Sequence, residues 1–237
     1  MSFTLKVNKS AEAVKESTGS QFIGQSGIYD GQINFVSLKQ TDSGAVSFNV
    51  SFKYGGNDQV FYGPYIQSKA GKELDIGLRL LNKFFIVGGL EDGVEPVMDT
   101  ETHNVGRDNT PTDFTVITDL SELDCKLQVK EVYNRYKGEI KRNLELVNVF
   151  SENGETAEEL TAISEGQTVE AGKQLTAILA REATTLPAYK DNKAADGSVE
   201  VAPTPEEVVA WREAKKSGAP APVATTTKPV VNPFAKK

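Results

Sequence analysis

The chain has 237 residues, 38% hydrophobic and 25% charged, with a formal net charge of −7 and a pI of about 5.0. That length accommodates one domain of about 150 residues plus extensions, the acid excess argues against a uniformly basic nucleic-acid-binding surface, and the lone Cys125 excludes an intrachain disulfide. No apolar run reaches the roughly 18 residues of a membrane helix, and the first residues lack the apolar stretch of a secretory signal, which predicts a cytoplasmic protein.

Residues 1–26 read as an N-terminal arm, with Ser10 capping a short helix over 10–16 and a polar lead-in after it. A first strand is predicted over 28–39, interrupted by Gly31, the mark of a bulge or sharp coil. The turn 41–44 leads to a second strand over 45–54. Its alternation sets Phe48, Val50, Phe52 and Tyr54 on a core face and Ser47, Asn49, Ser51 and Lys53 on the other. Gly55 and Gly56 close a hairpin into a third, aromatic strand over 59–65. Leu74, Leu78, Leu81 and Phe85 recur at helical spacing and predict a helix over 74–87, ended by Gly88 and Gly89.

Residues 90–119 read as a long acidic loop. A fourth strand over 126–133, a turn at 136–139 and a fifth strand over 140–150 follow. Residues 151–182 form a helical extension of two short helices split near Gly166, with Leu175, Ile178 and Leu179 available to pack. From 183 to 237 the chain reads as a flexible tail that holds seven of the ten prolines. Within it, Thr204, Pro205 and Glu207 spell a helix start. Trp211, the only tryptophan, is either a docking anchor or the means by which that helix packs back.

The predicted fold is mainly β: five strands with a helix between the third and fourth. This is the order of an OB-fold, a Greek-key barrel that binds oligonucleotides or oligosaccharides across strands 2 and 3 and the flanking loops. SH3-like and virion structural barrels have similar strand counts and stay open as alternatives.

Enzyme chemistry finds little to stand on. His103 is the only histidine, and no metal-binding, P-loop or nucleophile-elbow motif is present. The acids Glu91, Asp92, Glu95, Asp99, Glu101 and Asp108 lack a fixed metal-ligand spacing, so they read as a solvated loop, with a metal-dependent hydrolase as the outside alternative. Cys125 reads as a half-buried strand residue. No catalytic residue, cofactor or metal is expected.

Charge is segregated. Residues 27–150 hold 13 Lys/Arg against 18 Asp/Glu, yet 126–142 holds six cations against Glu131 and Glu139. Interleaved cations and aromatics suit a single strand, because cations follow phosphates and each base stacked on a ring contributes about 1–3 kcal/mol. The candidate DNA-binding residues are Lys130, Tyr133, Arg135, Tyr136, Lys137, Lys141 and Arg142 on the fourth and fifth strands. On strands 1 to 3 and beyond they are Lys39, Lys53, Tyr54, Phe61, Tyr62, Tyr65 and Lys69. Tyr54 is shared between core and groove, and a cationic edge that only protects a strand is the bland alternative for the hairpin.

The stretches Gly27-Ile28-Tyr29-Asp30-Gly31-Gln32-Ile33 and Glu131-Val132-Tyr133-Asn134-Arg135-Tyr136, with the barrel-plus-tail plan, resemble bacteriophage single-stranded DNA-binding proteins of replication and recombination. The resemblance implies a non-enzymatic, sequence-independent single-strand binder in the cytoplasm of an infected bacterium. Its tail would recruit replication or recombination proteins, and homo-oligomerisation stays open. Tails of that family are acidic, whereas residues 183–237 carry 8 Lys/Arg and 6 Asp/Glu. Partner recruitment would therefore rest on apolar docking of Trp211, Pro233 and Phe234. The rival reading is a protein-interaction or virion barrel with no nucleic-acid role.

Overall fold

The computed structural model describes residues 22–105, 110–193 and 197–217. Alternating apolar residues build an antiparallel meander of β1 (Gly27–Gln40), β2 (Val46–Tyr54) and β3 (Asn57–Gln67), followed by α1 (Asp75–Val87). A hairpin of β4 (Met98–Val105) and β5 (Thr110–Ile117) comes next, then a long hairpin of β6 (Leu123–Tyr136) and β7 (Glu139–Ser151). The predicted mainly-β character holds, and β2 buries Phe48, Val50 and Phe52 on the core face read from its alternation.

Strand β1 organises the sheet. Gln32–Gln40 pairs with β2 along one edge. The opposite edge serves β6 over Gly27–Ile33 and β5 over Val36–Leu38. A β-carbon on Gly31 would lie 2.3 Å from the Lys53 carbonyl oxygen, so the close approach of β1 to β2 needs the missing side chain. The register shift that bends β1 follows, between Ile33 and Phe35.

Hydrogen bonding does not close this sheet into a barrel: β3 and β7 face each other without a ladder. The segment just before β1 bridges that seam. The Gln59 side chain bonds both the N–H and the carbonyl of Ile23, at 2.9 and 3.0 Å, and Arg142 of β7 donates to the Gly24 carbonyl. Ile23 itself is buried in the core cluster. The far end of the core is covered by α1 through Leu80, Leu81, Phe84 and Val87. This buried stripe is rotated from the predicted one, and Leu78 and Phe85 are only half-buried. The reason is Gly77, which presses on β3: a β-carbon there would sit 2.1 Å from the Tyr65 carbonyl oxygen. Gly77→Ala forces helix and strand apart, at about 1–3 kcal/mol. A lowered urea midpoint with unchanged slope would show it.

Two further sequence expectations are corrected. Much of the acidic loop expected over 90–119 is the β4–β5 hairpin, which extends the sheet through β1. Phe35 of β1 stacks on His103 at 4.0 Å and lies 5.1 Å from the Phe114 ring. The other correction concerns the tail expected to be flexible from 183. As far as Ser217, its described residues fold back on the sheet. β8 (Ala188–Tyr189) adds to β6 in parallel, β9 (Asn192–Lys193) pairs with β10 (Val199–Glu200), and α4 (Pro205–Ser217) lies on the β6–β7 hairpin. The composition is that of a chain unable to fold alone, and Tyr133 and Ile140 supply the missing apolar surface. Between these parts lie the two expected short helices, α2 (Ala157–Ser164) and α3 (Lys173–Leu179). Thr156 and Glu159 form a reciprocal cap on α2. Leu175 is buried and Leu179 is exposed. The helix expected at 10–16 lies outside the described residues, as do Pro233 and Phe234.

Candidate nucleic-acid interface

The β6–β7 hairpin runs past the main core, and its inward face carries charge. Glu131, Tyr133 and Arg135 of β6 are opposed by Leu144, Arg142 and Ile140 of β7. Helix α4 covers this face. Tyr133, Ile140, Val208 and Trp211 form a second buried cluster, with the Trp211 and Tyr133 rings edge to face at 6.0 Å. The start of α4 is the cap read from sequence: the Thr204 hydroxyl accepts from the Glu207 N–H at 3.3 Å, and Glu207 accepts from the Thr204 N–H at 2.7 Å. The same Glu207 carboxylate takes a 2.5 Å bond from Arg135.

Deeper in, the buried Glu131 carboxylate accepts from the Tyr133 hydroxyl at 2.7 Å, from Arg142 Nε at 2.5 Å and from Arg212 Nη2 at 2.9 Å. Burial pushes this carboxyl up, but the bonds from Tyr133 and the two arginines outweigh it and hold it below the usual carboxylate range. Burial, then the bond to Glu131, raises the Tyr133 phenol. Arg212 is lowered by burial and raised more by its bonds to Tyr133 and Glu131.

Outside this cluster lies an open cleft of about 1220 Å³. Its walls bring together Tyr136, Lys141 and Arg142 from the hairpin and Trp211, Arg212, Lys215 and Lys216 from α4, with Glu131, Glu139 and backbone of 24–25. Five cations face two acids. Glu131 is saturated by arginine and tyrosine, and Glu139 is held below its usual range by its bond to Lys141. Lys215 Nζ stands 4.4 Å over the Trp211 ring. The volume exceeds the roughly 300–1,000 Å³ of small-molecule pockets.

A second surface lies on the outer face of β1–β3. Registers align Lys39 with Ser47 and Tyr65, and the buried Ser37 and Asn49 with Tyr62. Simple alternation puts Tyr62 and Tyr65 on opposite faces. The register shift around Ser47 brings both to the outer one, where they are 70% and 50% exposed. The turn carrying Lys69 abuts the β1–β2 turn at the same end.

Several expected DNA contacts are corrected. Tyr133 and Phe61 are buried in apolar clusters, and Arg135 is buried against Glu207, so none of them lies on the surface of this structure. Tyr54 packs edge to face on Tyr29 beside the core. Lys130 is drawn to the Ala183 carbonyl. Lys53, paired with Asp58 across β2–β3, sits away from Tyr65. Lys137 lies over the exposed Tyr136 ring at the hairpin tip. Trp211, expected as an exposed anchor or a packing residue, is the packing residue. Sequence reasoning missed Arg212, Lys215 and Lys216. Their signal was present as cations three and four apart after a well-formed cap.

Among the described residues, no group of three or more His, Cys, Asp or Glu side chains is placed to hold a metal, and no helix is long and apolar enough to cross a membrane. Cys125 is buried, which pushes its thiol up to about 12 and leaves it inert. The sequence matches no family model and no curated protein.

Proposed function

We propose that this protein binds single-stranded DNA without sequence preference and has no enzymatic activity. The observation that carries the reading is the cleft between the β6–β7 hairpin and α4, whose walls carry five cations and an exposed tyrosine. Lys and Arg there would hold phosphates, and bases would stack on Tyr136 and on Tyr62 and Tyr65 of the outer sheet face. The strand order supports an OB-fold with an inserted hairpin. β1 is shared between β2 and β6, α1 stands between β3 and β6, and β4–β5 is the insertion. The role in phage replication or recombination, with partners recruited through Pro233 and Phe234, follows from the family resemblance and belongs to the same proposal.

The test is anisotropy of a labelled oligo-dT at low and moderate salt, with a duplex control. Binding confined to the single strand and weakened by salt is expected. A flat titration at low salt would overturn the reading and favour a protein-interaction domain.

A further inference from the structure

Glu131 sits where the two walls of the cleft meet. Its carboxylate takes bonds from Arg142, on β7, and Arg212, on α4, so one buried acid ties the helix to the hairpin. Arg212 also donates from Nε to the Tyr133 hydroxyl at 2.8 Å, and Arg142 donates from Nη2 to the Gly24 carbonyl. Neither guanidinium is used up. The two side chains remain 36% and 43% exposed. Both line the cleft beside Lys141, Lys215 and Lys216. A buried ion pair is a poor way to gain stability alone, since apolar residues of similar volume often serve as well. Arginines held in place with one edge free have a further use: they meet a phosphate without having to be ordered first.

We infer that α4 is a ligand-coupled jaw. A phosphodiester strand spanning Lys141 and Arg142 on the hairpin and Arg212, Lys215 and Lys216 on α4 holds the docked helix on the sheet, and Glu131 is the positioning residue that aims both arginines. This rests on the single-strand reading of the cleft. The coupling follows from linkage. A strand that touches both walls does so only while α4 is docked, so it stabilises docking, and docking strengthens binding by the same factor. The inference also fixes a sign that simple charge counting gets wrong. Removing a carboxylate from a cationic cleft raises its attraction for phosphate, yet removing Glu131 frees the arginines and unfastens α4, so binding weakens.

The experiment uses the full chain. Trp211 is the only tryptophan, so its emission in a urea titration reports α4 release, and labelled oligo-dT anisotropy in parallel reports binding. Saturating oligo-dT is expected to move the Trp211 transition to higher urea. Glu131→Gln is expected to bind oligo-dT about fivefold or more weakly, with far-UV circular dichroism showing that it folds. Arg212→Lys keeps the charge and loses the fork, and is expected to weaken binding in the same direction without disturbing the core. Bound oligo-dT with an unmoved Trp211 transition overturns the inference, as does equal or tighter binding by folded Glu131→Gln or by Arg212→Lys. Absence of any binding by the unmodified protein is told apart by its flat anisotropy and overturns the single-strand reading as well.

Discussion

Trp211→Ala releases α4 from the hairpin. The indole is one of only four buried side chains in the cluster that holds the helix, and truncating a buried tryptophan costs about 3–5 kcal/mol. A helix of 13 residues has little stability of its own, so it is lost as a unit rather than shifted. Val208 then leaves the cluster, and Arg135 loses Glu207. Glu131 keeps Tyr133 and Arg142 but loses Arg212. Removing one member of a buried ion pair costs about 3–5 kcal/mol where the remaining charge stays buried. Arg135 therefore turns outward or destabilises the hairpin. Limited trypsin digestion reads the result directly. The unmodified protein resists cleavage after Arg212, because that side chain is tied to Glu131 and Tyr133, and the variant is cut there rapidly. Equal cleavage rates in both would show that Trp211 does not hold the helix.

The parts of the fold that could be read locally were read. Alternation on β2 and the cap of α4 are short-range patterns, and each appears where its residues place it. The β4–β5 hairpin was illegible because most of its residues are polar: Asp99 and Glu101 alternate with threonine on β4, and only Val116 and Ile117 are buried on β5. The hairpin is held by the pairing of β5 to β1, some 80 positions away, which no local window contains.

The candidate site failed in sequence for a related reason. Cations on the fourth strand read as exposed because a charged residue seldom lies inward. Here Glu131 and Arg135 do lie inward, and the partners that make this tolerable, Arg212 and Glu207, come from α4, 81 and 72 positions later. Composition made α4 look like part of a free tail. The same docking supplied the second wall of the cleft, so the basic hairpin was half of a site whose other half lay in the segment least expected to fold. Tyr62 and Tyr65 show the opposite case. A single register shift, invisible in the sequence, turned two aromatics onto one face.

Reversing Lys141, Lys215 and Lys216 together to glutamate separates the two surfaces. All three are exposed, so the fold should change little, since surface substitutions of this kind stay within about 0.5 kcal/mol each. The 2.5 Å pair of Lys141 with Glu139 is solvent-facing and, screened by water, contributes little to the fold. Binding should change greatly. Each lost phosphate contact removes about 0.7 from the slope of log affinity against log salt for a single strand, so the slope falls by about 2. At low salt the affinity for oligo-dT drops on the order of a hundredfold, because three attractions become three repulsions. The control reverses the two lysines Lys39 and Lys69, at the Tyr65 end of the outer sheet face. If the cleft holds the backbone, the triple variant loses slope and the control keeps most of it. If the control loses the slope and the triple variant does not, phosphates run along β1–β3, and the cationic wall of α4 serves the fold alone.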